Sequence, residues 1–74
     1  MGKMLGFPAA MQKVINGERV TKLEWASPNT FLELRDGFLM LHQPNKGFSR
    51  LTPSDGDMLG EDWVVVTVYS QIMQ

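Results

Sequence analysis

The sequence predicts an α+β domain: a small, mainly antiparallel sheet packed on one N-terminal amphipathic helix, with a short helical turn toward the C-terminus. Three observations lead there. Apolar residues recur with helical period only between Phe7 and Ile15, the period changes to two from Arg19, and Asp36-Gly37 stands between two β-prone runs. No repeat, low-complexity segment or linker divides residues 1–74, so they read as a single domain.

The elements follow in order. Phe7, Ala10, Met11, Val14 and Ile15 occupy one helical face, opposite Gln12, Lys13 and Asn16. Pro8 suits the first turn, where its missing N–H is not needed, and Gly17 suits the left-handed position past the end, so a helix is expected from about Pro8 to Asn16. Val20, Lys22 and Glu24 then alternate with Thr21, Leu23 and Trp25 in a short strand that Ser27-Pro28-Asn29 ends. Thr30 to Arg35 and Phe38 to His42 form a hairpin, because Asp-Gly is favoured where both turn residues need positive φ. In its first strand Leu32 and Leu34 share one face, Glu33 and Arg35 the other.

Gln43 to Gly47 reads as a loop and Phe48 to Leu51 as a brief strand. Thr52-Pro53-Ser54-Asp55 predicts a helix start, with Thr52 as N-cap, Pro53 at the first position and Asp55 in capping-box style; Gly56 and Gly60 confine that helix to about a turn. Trp63 to Ser70, rich in Val, Thr and Tyr, reads as a long final strand, and Gln71 to Gln74 as a frayed tail.

Composition narrows the function classes. A core built from 74 residues barely offsets the entropy of ordering them, so such domains lean on disulfides, metals or self-association. With no Cys and one His, disulfides, thiolate zinc sites and most imidazole cages are excluded, and self-association remains. A net charge of −1 argues against polymeric nucleic acid, whose binding depends on neutralised phosphates. The longest apolar runs, Phe38 to Leu41 and Trp63 to Val66, fall far short of the roughly 20 residues that span a bilayer. The first residues, Met1 to Pro8, hold one positive charge and no sustained apolar stretch, so no signal peptide is expected and a cytosolic protein is.

Few residues are suited to catalysis. His42 is the one imidazole available for proton transfer, and neither Ser49 nor Ser54 lies in a nucleophile elbow; a surface or rim histidine is the plainer reading. Asp55, Asp57, Glu61 and Asp62 depart from the calcium-loop spacing and read as caps and solvated charge, although an aspartate such as Asp57 at a pocket rim also accepts hydrogen bonds from ribose or base. Trp63 opens an apolar strand and reads as core. Trp25 runs into an exposed loop, where an indole is core, an association hot spot or a stacking platform. Met11 and Met40 read as gap-filling core, and Met58 fits either core or surface.

Two stretches carry a family resemblance. Phe7-x-x-Ala10 followed by Gly17-x-x-Val20-x-Lys22-x-x-Trp25 resembles the N-terminal pattern of the phage Thoeris anti-defence proteins of the second type. Asp57-Met58-Leu59-Gly60-Glu61-Asp62-Trp63, with Pro53-Ser54 ahead of it, resembles their C-terminal signature. Lys22 stands where that family usually has Arg, and Gly60 where it has Ala. The resemblance implies a non-enzymatic sponge without cofactor, working in the cytoplasm of the infected bacterial host. Such proteins are oligomers, typically tetramers, that sequester cyclic ADP-ribose isomers made by TIR-domain enzymes, and some also bind cyclic dinucleotides. On this resemblance Trp25 stacks on the base, Asp57 accepts hydrogen bonds from base or ribose, and Thr52 and Ser54 donate to the pyrophosphate, with Asn29 a weaker candidate. The rival readings are an interaction module that binds a host protein through Trp25 and the hairpin, and a small phosphodiesterase using His42. A ligand pocket of roughly 300 to 1,000 Å³ is hard to enclose in one chain of this size, so the site is expected between subunits.

Overall fold

The protein is described from a computed structural model, which covers residues 4–27 and 29–66. Helix α1 (Phe7–Ile15) is followed by strand β1 (Arg19–Lys22), a 3-10 turn (Leu23–Trp25), β2 (Phe31–Arg35), β3 (Phe38–Gln43), β4 (Gly47–Arg50), a short helix α2 (Asp55–Leu59) and β5 (Trp63–Val66). The five strands form one sheet in the order β4-β3-β2-β1-β5, with every neighbouring pair antiparallel. The expected α+β class is what the chain adopts. Among the described residues no helix is long and apolar enough to cross a membrane.

Helix α1 ends as its sequence dictates. Gly17 takes φ +95°, its N–H donates to the Val14 carbonyl at 3.0 Å and the Glu18 N–H to the Lys13 carbonyl at 3.0 Å, the paired bonds of a Schellman motif. The chain thereby turns straight into β1. Ala10 and Val14 are buried against Val20, Leu32 and Trp63, whereas Ile15, expected on the apolar face, lies at the exposed helix end.

Both hairpin turns are set locally. Asp36 and Gly37 have φ +52° and +85°, the type I′ conformation expected of Asp-Gly, and they hold Arg35 opposite Phe38. Between β3 and β4, the Lys46 N–H donates to the Gln43 carbonyl at 3.1 Å and Gly47 follows at φ +72°, which closes a three-residue loop with Gly47 opposite Gln43.

Three expectations are corrected. The strand read through Trp25 stops at Lys22, because Leu23 to Trp25 coil into a 3-10 turn that ends at Ala26 with φ +54°. The turn is anchored from far along the chain: the Leu23 N–H donates to the Asp62 carbonyl at 3.0 Å and the Glu24 N–H to Asp62 Oδ2 at 2.9 Å. The cap of α2 is Ser54 rather than Thr52, so the helix begins at Asp55 with Pro53 outside it. Met40, read as core, is half-buried on the sheet face away from α1, since it pairs with Glu33 and Arg50. Trp63, fully buried, opens β5 as expected, and residues 67–74, on which the end of the expected long strand and the expected tail fall, lie outside the described residues.

Candidate functional site

The two stretches that carry the sequence pattern meet around a lysine. Lys22 shares a strand face with Val20, two residues away, and Val20 is fully buried, so Lys22 is carried into the interior and is only 3% exposed. A buried ammonium is costly unless it is paired and hydrogen-bonded. Its Nζ lies 3.3 Å from Glu24 Oε1, 3.7 Å from Asp57 Oδ1 and 3.4 Å from the Gly56 carbonyl, and 5.6 Å from the centre of the Trp63 ring. One cation therefore ties β1, the 3-10 turn, α2 and the start of β5 together. Gly60 belongs to the same contact: a Cβ there would stand 3.2 Å from Lys22 Nζ and 3.3 Å from Asp62 Oδ1. The two departures from the family pattern, Lys22 and Gly60, are thus neighbours in space.

Asp57 faces Lys22 from α2 and is held from both sides. Its Oδ2 accepts from the Ser54 N–H at 3.0 Å while its own N–H donates to Ser54 Oγ at 3.2 Å, a complete capping box. Its carbonyl accepts the Trp63 indole N–H at 3.2 Å, which fixes α2 over the buried tryptophan. Trp25 packs edge-to-face on Trp63, with centroids 5.5 Å apart and planes at 83°, and Phe7 closes on Trp63 at 5.9 Å. Trp25 is half-buried rather than loop-exposed, and its indole is braced by a rigid neighbour.

Of the five residues singled out from the sequence, Trp25 and Asp57 meet Trp63, and Ser54 joins them through its capping bonds with Asp57. Thr52 is exposed on the segment leading to α2. Asn29 belongs to a different cluster: its carbonyl accepts from His42 Nδ1 at 2.7 Å, and its N–H donates to Ser27 Oγ at 3.2 Å. Because a carbonyl can only accept, the His42 proton sits on Nδ1. The imidazole stacks on Phe31 at 4.7 Å and 14°, with Phe48 against its edge at 4.8 Å, so His42 closes the loop before β2 and braces an aromatic cluster. Among the described residues no group of three or more His, Asp or Glu side chains is placed to hold a metal ion.

Glu24 and Asp62 were not singled out as site residues, yet both hold the turn that presents Trp25. The signal for Lys22 was present in its i, i+2 spacing from Val20. Asp62 stands in the C-terminal signature, but its role was not legible there, because its partner lies 38 residues away.

Fold and site together define a single-sheet α+β domain organised around a lysine-aspartate-tryptophan centre that presents a braced indole beside a short, capped helix. Over residues 5–66 the chain matches the model of the Thoeris anti-defense 2-like domain. It belongs to that family. The matched span runs from Leu5, whose backbone pairs with Trp63, to Val66 at the end of β5, and so takes in all the described strands and helices. No curated protein matches the chain.

Proposed function

We propose that this protein is a phage anti-defence sponge that binds a cyclic nucleotide immune signal and holds it without cleaving it. The ligand is a cyclic ADP-ribose isomer made by TIR-domain enzymes, with cyclic dinucleotides as a second class. The observation that carries this reading is the family match over residues 5–66, which contains the whole lysine-aspartate-tryptophan centre. Trp25 supplies the stacking surface, and its contact with Trp63 fixes the indole before a ligand arrives, which lowers the entropy lost on binding. Ser54 and Thr52 lie on the approach to α2 and offer hydroxyls to phosphate. Asp57 engages its carboxylate in the capping box and beside Lys22, so its part in binding is first to hold α2 in place. Asn29 reaches the ligand from a second subunit, in keeping with a tetramer whose pockets lie between copies.

Titration calorimetry against a panel of cyclic ADP-ribose isomers and cyclic dinucleotides tests the reading. At least one ligand is expected to bind saturably. Base stacking contributes about 1–3 kcal/mol, so Trp25→Ala should weaken that binding by roughly tenfold or more, and Trp25→Phe by less. Absence of heat with every member of the panel would contradict the proposal. It would favour the interaction module instead, for which the exposed hairpin phenylalanine Phe38 provides an anchor.

A further inference from the structure

The sheet has two faces, and among the described residues only one is covered. Both helices lie on the face of Val20, Lys22, Leu32 and Trp63. On the opposite face, side chains alternate by strand register, and three arginines lie over three phenylalanines. Arg19 sits 4.7 Å from the Phe31 ring centre, Arg35 4.1 Å from Phe48 and Arg50 4.0 Å from Phe38. Phe38 is 46% exposed and Phe48 37%. Glu33 pairs with both Arg19, at 2.8 Å, and Arg35, at 3.2 Å, whereas Arg50 has no carboxylate partner among the described residues. A chain of net charge −1 thus concentrates three guanidinium groups and exposed aromatic rings on one surface that no other described residue covers.

The complementary surface is on the same chain, around α2. Leu59 is 80% exposed and Met58 47%, on a helix too short to bury them, and Asp55 and Glu61 flank them, exposed and without an ion pair among the described residues. The other two acids of this segment are engaged internally, Asp57 with Lys22 and Asp62 with the Glu24 N–H. One patch is apolar with positive charge and the other apolar with negative charge. They cannot meet within one chain, because α2 lies on the covered side of the sheet. Packing two sheet faces together would set arginines against arginines.

We propose that the α2 segment of one copy docks on the arginine-phenylalanine sheet face of the next. Leu59 and Met58 cover the exposed Phe38 and Phe48 rings, and Asp55 and Glu61 meet the arginines, Arg50 first. The contact joins unlike patches, which pair either head to tail around a ring or reciprocally across a two-fold axis. It rests on the self-association in the proposed function and assigns the surface responsible. It also buries the end of α2 beside Ser54 and Asp57, which places a second copy next to the indole of Trp25.

Sedimentation of the full chain over a range of concentrations tests this without any ligand. The wild type is expected to assemble. Arg50→Glu and, separately, Leu59→Asp should each raise the dissociation constant at least tenfold while circular dichroism stays unchanged, because both side chains are exposed. The swap of Arg50→Glu with Asp55→Arg and Glu61→Arg should recover most of the loss. A wild-type monomer at every concentration, assembly unaffected by both single variants, or a charge swap that recovers nothing would each overturn the docking. Normal assembly combined with no nucleotide binding would instead leave the docking standing and contradict the sponge.

Discussion

Trp63→Ala is expected to remove a large part of the stability of the chain and to lower its unfolding temperature by well over ten degrees. Trp63 is the largest fully buried side chain, and α1, β1, α2 and Trp25 all converge on it. Removing a buried aromatic costs about 3–5 kcal/mol. A chain of this length has roughly 4–11 kcal/mol of total stability on the per-residue scale. The small core offers no second layer to collapse into the cavity. Trp63→Phe keeps a ring against Phe7 and Trp25 but leaves the Asp57 carbonyl without its indole donor, and is expected to cost about half as much. Thermal unfolding followed by circular dichroism distinguishes the two. A cooperative transition for Trp63→Ala within a few degrees of wild type would show that the core lies elsewhere.

Asp57→Ala should lower stability by about 3 kcal/mol from two separable losses. Removing the carboxylate breaks the capping box and leaves the Ser54 N–H without its acceptor, which costs about 1 kcal/mol. It also leaves the Lys22 ammonium, 3% exposed, with the Gly56 carbonyl and the carboxylate of the largely exposed Glu24. Breaking a fully buried pair costs about 3–5 kcal/mol, and these remaining partners reduce that to about 2. Asp57→Asn retains an oxygen for the Ser54 N–H and should lose only the charge component. Lys22→Met removes the ion and its desolvation together and should be milder than Asp57→Ala. Urea unfolding midpoints give the order. Equal midpoints for wild type and Asp57→Ala would mean that α2 is held without Lys22.

The same residues explain how much could be read in advance. The amphipathic face of α1, Gly17 as its stop and Asp36-Gly37 as a turn are local signals, and each appears in the fold. The sequence pattern places the start of α2 two residues too early. It makes Thr52 the cap with Asp55, whereas Ser54 caps with Asp57, because Asp57 faces Lys22, 35 positions earlier in the chain, and Trp63 hangs on its carbonyl. Leu23 to Trp25 continue a formal alternation, but Asp62 accepts from the N–H groups of Leu23 and Glu24 and coils the segment instead. The candidate site was legible to the extent that Trp25, Ser54 and Asp57 come together. Asn29 was not separable by sequence, because only the hairpin register brings His42 beside its carbonyl. The arginine-phenylalanine face stayed hidden because Glu33 and Arg35 were legible only as sharing a face, and it is the register of β2, β3 and β4 that brings Phe38, Phe48 and Arg50 beside them.

The central claim is capture of a nucleotide signal without turnover. The protein should be saturated with a cyclic ADP-ribose isomer, freed of unbound ligand, held at working temperature for hours, then heat-denatured, and the released compound analysed by mass spectrometry. Stoichiometric recovery of the cyclic compound with its mass unchanged is expected from capture without turnover. Recovery of a ring-opened product, one water heavier, would contradict it and make the protein an enzyme.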